Sequence, residues 1–276
     1  AAMAVRDGVT PRSIDVGVLQ RHLVGIGNLP EAALDEEDSF PMADGEVKAA
    51  VGDLLHEDHA RACRALAVVL CHAEVARLHR RAAYEAADGE DRVFLARILG
   101  FWGDSGVGPE LAEALMKCQW DAKILQGRMA EYAHLPTPVD SLVLALGKCG
   151  HPAALGAILR KLEELDADTT LSHHRSCALA LEAMGDARAA PALAALLCRR
   201  GMAGHAMQEL EPLYDKPVEK RRREGSLREI VLARALYRCG DHQGLGRSIL
   251  QDYLHDLRGL FSRHAEFVLG EAVPQE

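Results

Sequence analysis

The chain reads as an all-α protein, a stack of helical hairpins forming an α/α superhelix, and three observations lead there. Alanine and leucine dominate, aromatics make up only 4% of 276 residues, and β-branched runs are scarce, a composition that favours helix nearly throughout. The stretch from Leu171 to Gly201 spells a helix, a Gly-Asp turn and a second helix. The same phrase, reworded, recurs on both sides of it.

The spacing predicts that the first helix of this unit starts with Ser172 as its N-cap and ends at Gly185, where a left-handed glycine can close it. Asp186 then caps the next helix, with Pro191 early in it, where a missing N–H is tolerated. Cys177, Leu181 and Met184 share one face of the first helix. Leu193, Leu196 and Leu197 share one face of the second. Gly103, Gly150 and Gly240 align on Gly185 at intervals of 47, 35 and 55 residues. Leu99, Leu146, Leu181 and Leu236 stand four positions before these glycines, and Trp102, Cys149, Met184 and Cys239 one before, in a slot that should be core. Asp104, His151, Asp186 and Asp241 follow the glycines; the three aspartates are good caps. Leu111, Ile158 and Leu193 come eight after, with Ile249 displaced by one in the last unit, and Pro109 occupies the slot of Pro191.

Helix pairs this short cannot bury an apolar face alone and must stack on neighbours. The unit resembles a HEAT-type repeat, and its turn is similar to the HEAT-like repeats of bilin lyases. A generic helical bundle is the competing arrangement. The pairs are expected at 92–118, 138–165, 171–200 and 227–253. Two further helices are expected between Glu46 and Ala87, with an apolar stripe through Leu66, Val69, Leu70 and Val75, and a terminal helix at Leu257 to Leu269 to cap the stack.

Residues 1–30 stand apart. Gly8, Val9, Thr10, Pro11, Arg12, Ile14, Asp15, Val16, Leu19 and Gln20 follow an alanine-rich helix end. This phrase resembles the close of the flavoprotein domain in a family of bacterial FAD-dependent oxidoreductases, with Thr10 as a conservative departure. Ser172 to Gly185 and Gly201 to Ala206 resemble phrases from the helical region that long members carry after it. The resemblance implies that residues 1–30 are the remnant of a flavoprotein domain, 31–45 an acidic linker and 46–276 a HEAT-like repeat domain. It also implies that FAD belongs to an upstream part of a parent protein and not to this chain. Gly25-Ile26-Gly27, Gly106-Val107-Gly108 and Gly244-Leu245-Gly246 each supply G-x-G, yet none has the third glycine or a preceding strand. The opening AAMAV, without an initiating methionine, reads as a processed or excised start.

A formal net charge of −9 argues against a nucleic-acid partner, and no apolar run reaches the roughly 18 residues of a membrane span. The seven cysteines, an odd number without framework spacing, read as reduced thiols and favour a reducing compartment such as the cytoplasm.

Candidate chemistry is sparse. His173, His174 and Arg175 cluster at a helix N-terminus, which attracts anions, and His205 lies between glycines in a loop where backbone can approach a ligand. These four are the candidate ligand or anion contacts; solvated first-turn side chains, with His205 capping a carbonyl, are the bland alternative. His56, His59 and Cys63 fall on one helix face and could begin a zinc site, but HEDHA lacks the H-E-x-x-H spacing, and a solvated helix start is the simpler reading. Lys220 to Arg223 reads as a solvated insertion loop. Neither catalytic nor metal residues are assigned. The composite reading is a non-catalytic repeat domain that packs on a flavin domain or docks a partner along its concave face. The alternatives are an independent scaffold or a HEAT-like DNA glycosylase, for which Trp102 with Asp104 or Trp120 with Asp121 would supply the aromatic and the acid.

Overall fold

The computed structural model describes residues 2–10, 13–35, 42–121, 136–210 and 216–270. These residues are helical, with no strand among them, and they fall into two compact units, Ala1–His79 and Arg80–Glu276.

In the first unit, α1 (Ala2–Asp7) ends at a left-handed Gly8, φ 63°. Asp15 caps α2 (Val16–Gly25) by accepting from Val18 N at 2.8 Å. Pro11, Arg12 and most of the acidic run after Asp35 lie outside the described residues. Where two helices were expected, three form: α3 (Asp44–Gly52), α4 (His59–Cys71) and α5 (Ala73–Ala86), whose residues from Arg80 onward belong to the second unit. The break between α4 and α5 falls at His72, whose backbone leaves the helical region (φ −114°, ψ 41°). Its ring replaces the lost pairing, donating from Nδ1 to Val68 O at 2.9 Å and accepting from Met42 N at 3.0 Å. The expected apolar stripe is interrupted there. Val69 is buried, but Leu70 and Val75 are exposed.

The second unit is built of helix pairs: α6 (Gly89–Phe101) with α7 (Gly108–Lys117), α8 (Pro138–Lys148) with α9 (Ala153–Glu163), and α10 (Leu171–Met184) with α11 (Ala190–Leu197). The fourth pair is α12 (Lys216–Arg238) with α13 (Leu245–Leu254), and α14 (Gly259–Gly270) closes the series. The first helices of successive pairs pack on one another, α6 on α8, α8 on α10 and α10 on α12. The second helices do likewise, α7 on α9 and α9 on α11. Two layers result, as in a solenoid. Small residues set the spacing of the first layer. A Cβ on Gly147 would lie 2.5 Å from the Ala180 Cα, so α8 and α10 pack nearly backbone to backbone.

The turn glycines adopt the expected left-handed conformation: Gly103, Gly150, Gly185 and Gly240 have φ of 81°, 70°, 60° and 102°. Leu99, Leu146, Leu181 and Leu236 are buried before them, and Leu111, Ile158, Leu193 and Ile249 after them. Asp104 and Asp186 cap by accepting from the amide two residues on. His151 caps in the same way, its Nδ1 accepting from Ala153 N at 3.1 Å. The fourth turn holds the extra residue that displaces Ile249. Asp241 and Gln243 take up the slack with φ of 48° and 57°, and Asp241 reaches past the insertion to accept from Gly246 N at 2.6 Å.

Three expectations are corrected. The cap of α10 is Thr170, so Ser172 sits inside the helix and is buried. Only Cys149 and Cys239 fill the slot before the glycine as core. Met184 is half-buried, and Trp102 is half-buried beneath the Arg80 guanidinium, 3.6 Å from its ring centroid. Lys220 to Arg223 are no insertion loop: they lie in the first turns of α12, a helix of 23 residues.

Candidate functional site

The histidine doublet at the start of α10 is divided between two environments, because consecutive helical side chains point about 100° apart. His173 turns towards α8. Its Nδ1 lies 2.9 Å from Asp140 Oδ1 and its Nε2 lies 3.1 Å from the Asp121 carbonyl oxygen. Both partners are acceptors, so both ring nitrogens donate and the ring is an imidazolium. Burial by itself disfavours that charge. The hydrogen bond and charge of Asp140, with the Asp121 carbonyl, outweigh it and hold the His173 pKa above its ordinary value. Asp140 likewise titrates below the usual carboxylate range despite its burial, because His173, the Thr137 amide and Ser176 all bond to it.

Asp140 is in place because Thr137-Pro138-Val139-Asp140 is a capping box. Thr137 Oγ1 accepts from Asp140 N, while an Asp140 oxygen accepts from Thr137 N at 2.9 Å. Thr137 in turn donates to Asp121 Oδ1, and Trp120 stacks on the His173 ring at 4.4 Å between centroids. His173 and Asp140 are 2% and 0% exposed. The charged pair therefore joins α8, α10 and the Trp120–Asp121 stretch, and no ligand can reach it in this conformation.

His174 faces α12. Its Nδ1 donates to the Thr170 carbonyl at 3.1 Å, while its Nε2 is buried without a partner. Burial, reinforced by the positive charge of Arg228, pushes its pKa down to about 4, so this ring is neutral. Arg175 projects outward and is exposed. His205 stands elsewhere, half-buried, its Nε2 donating to the Gly201 carbonyl at 3.0 Å and its ring lying where a Cβ on Gly225 would collide with it. The structure therefore does not gather the four candidates into one site.

What holds the Gly201 to Met207 loop was not singled out in the sequence. Buried Glu229 accepts from the amides of Gly204 and His205, each at 2.8 Å, and from the Tyr253 hydroxyl at 2.8 Å. Buried Asp256 accepts from Met207 N at 2.8 Å and is bridged by Arg258, which also donates to the His205 carbonyl. Nothing local in the sequence marks Glu229, because its partners are about 25 residues away on either side. Asp140, by contrast, is signalled by the T-x-x-D spacing.

His59 and Cys63 approach on α4, Nε2 to Sγ 3.5 Å, but His56 precedes the helix and accepts from Asp58 N. The three therefore do not share a helix face, and no three His, Cys, Asp or Glu side chains converge as a metal site among the described residues. Trp102 and Trp120 are likewise engaged, with Asp121 serving as acceptor to Thr137 and Val139 N.

An open cleft of about 730 Å³ lies between the α10 N-terminus, α12 and α14. Arg175, the one doublet neighbour that faces solvent, lines it. So do Arg223, Arg228 and Arg234, spaced along one side of α12, opposed by the carboxylates Asp168 and Glu224. Leu227, Val231 and Leu260 supply apolar wall between the charges. Arg234 is held by Glu182 in a bidentate pair at 2.6 and 3.0 Å, whereas Arg175 and Arg223 have no ion-pair partner among the described residues.

Stacked pairs with this turn chemistry define an all-α helical-repeat protein. Residues 174–197, which are α10 from His174 onward, the Gly185 turn and α11, match the family described as PBS lyase HEAT-like repeat. No curated protein and no solved structure matches the chain. No helix among the described residues is long and apolar enough to cross a membrane.

Proposed function

We propose that this chain is a non-catalytic docking scaffold, the C-terminal helical-repeat part of an FAD-dependent oxidoreductase whose flavin domain lies upstream. The observation that carries the docking half is the open cleft on the stacked repeats. The buried His173–Asp140 and Glu229 networks are spent on holding helices and a loop together, while the cleft presents Arg175 and Arg223, without ion-pair partners among the described residues, and apolar surface outward. The oxidoreductase half rests on the phrase from Gly8 to Gln20. Within that phrase Gly8 is left-handed and Asp15 caps a helix. Redox chemistry would belong to the FAD of the upstream domain.

The test is to express this chain together with the protein encoded upstream in the same frame, as separate polypeptides, and purify through a tag on this chain. A yellow, FAD-containing partner that co-purifies is the expected result. If the upstream frame encodes no G-x-G-x-x-G behind a strand, or if its product elutes alone, the oxidoreductase half is wrong. A free-standing scaffold is then the reading left.

A further inference from the structure

The cleft between α10, α12 and α14 has a charge pattern at odds with the rest of the molecule. Four arginines meet two carboxylates there, with one of the four, Arg234, already held by Glu182, in a chain whose formal net charge is −9. One of them, Arg228, is only 9% exposed. It is anchored through Nη1 to the Ala167 carbonyl, yet its Nε is buried without a partner. A buried, incompletely bonded guanidinium is costly unless something completes it. Arg175 and Arg223 flank it with no counter-charge bonded to them.

The arginines are not clustered as around a single small anion. From Arg223 to Arg234 they run along α12 for about 16 Å, at 1.5 Å per residue. Leu227 and Val231 lie between them, and Leu260, 63% exposed, stands on the opposite wall. A row of cations interleaved with apolar contacts suits an elongated partner with the reverse pattern. Asp168 and Glu224 on the same walls, with the negative charge of the whole chain, disfavour a polyanion such as nucleic acid.

We propose that this cleft is a docking groove for an acidic peptide segment of a partner protein, one in which carboxylate side chains alternate with apolar ones. Arg175 and Arg223 would pair with its carboxylates, Arg228 would add its positive charge to the wall between them, and Leu260 would pack on its apolar residues. The proposal supplies the partner chemistry of the scaffold suggested above and rests on its docking half, not on the identity of the parent.

The probe is a fluorescein-labelled peptide of about six residues, enough to span the arginine row at roughly 3.3 Å per residue, with glutamate and leucine alternating. It is titrated with the full chain and followed by fluorescence anisotropy. Saturable binding is expected, weakened about tenfold or more when glutamine replaces glutamate, and similarly when serine replaces leucine. Arg175→Gln with Arg223→Gln, both on exposed side chains, should weaken it about tenfold while leaving the helical circular dichroism unchanged. Arg188→Gln, on an exposed residue outside the cleft, should not alter it. The proposal is overturned by absence of saturable binding, by equal binding of the glutamine peptide, by tighter binding of a labelled oligonucleotide at the same arginines, or by indifference to the double variant. Equal binding of the serine peptide would reduce the cleft to a simple anion site and overturn it too. Co-purification of a flavin partner that survives the double variant would discard this groove while leaving the docking reading intact.

Discussion

Replacing His174 with leucine should make the protein more resistant to acid. His174 is fully buried, and its pKa is depressed from 6.5 to about 4. Above pH 6.5 the ring is neutral whether the chain is folded or not, and the depressed pKa contributes nothing. Below it, the unfolded chain takes up a proton that the folded one refuses, so folding stability is lost as the pH falls from 6.5 towards about 4. At about 1.36 kcal/mol per pKa unit, the full loss is about 3 kcal/mol, of which about 2 kcal/mol is already present at pH 5. Leucine is of similar size and carries no proton. It gives up the bond to the Thr170 carbonyl, about 1 kcal/mol, but also removes an unpartnered buried nitrogen that costs a comparable amount. Urea unfolding of wild type and His174→Leu at pH 7.5 should therefore give nearly equal stabilities. At pH 5 the variant should be ahead by about 2 kcal/mol. Groups remote from His174 titrate alike in both proteins and cancel in the comparison, whereas His173 and Asp166, which feel its charge, do not cancel fully. A gap that stays the same at both pH values would refute the assignment of His174 as a buried neutral ring.

The neighbouring His173 should behave with opposite sign. Its raised pKa contributes stability below pH 6.5 that is lost as the pH rises through the folded value, while Asp140, with its lowered pKa, contributes stability that is lost as the pH falls through its own. Asp140→Ala should cost about 3–5 kcal/mol in urea unfolding at neutral pH, because it breaks the capping box of α8 and takes the buried acceptor from His173 and Ser176. It should cost more than Asp104→Ala, which removes a half-buried cap and its ion pair with Arg81, together about 1–2 kcal/mol. Gly147→Ala, with its new methyl 2.5 Å from Ala180, should lower the thermal midpoint and cost about 1–3 kcal/mol by forcing α8 and α10 apart. Glu229→Gln should speed amide exchange at Gly204 and His205, whose N–H groups it accepts, and leave exchange within α8 unchanged; protection retained in the loop would show that the clasp is not what orders it.

Some features of this protein were open to reading from local chemistry. Each repeat turn asks for the same things within a dozen residues: a buried leucine, a glycine that alone tolerates the left-handed backbone, a cap and a second apolar position. Short-range sterics and hydrogen bonding enforce them, and Gly103, Gly150, Gly185 and Gly240 obey. Even the misfit of Ile249 was visible as one extra residue, though not that Asp241 and Gln243 would absorb it with positive φ. The capping box that sets Asp140 was equally local.

Other properties were settled only when distant segments met. The pair His173-His174 looks uniform in sequence, yet one ring meets Asp140 across α8 and is charged, while its neighbour meets the α12 side and is neutral. Burial and the partner's charge decide which, and neither is encoded within a turn of the doublet. The basic run near Arg223 resembled a solvated loop because charge alone does not reveal the helix it starts. Once α12 packs on α10, Arg223, Arg228 and Arg234 line a cleft with Arg175. Electrostatic surfaces arise from the juxtaposition of elements far apart in the chain. The sequence by itself therefore determined the repeated helical hairpins and their turns, while the charge states of the histidines and the cleft were decided by tertiary packing.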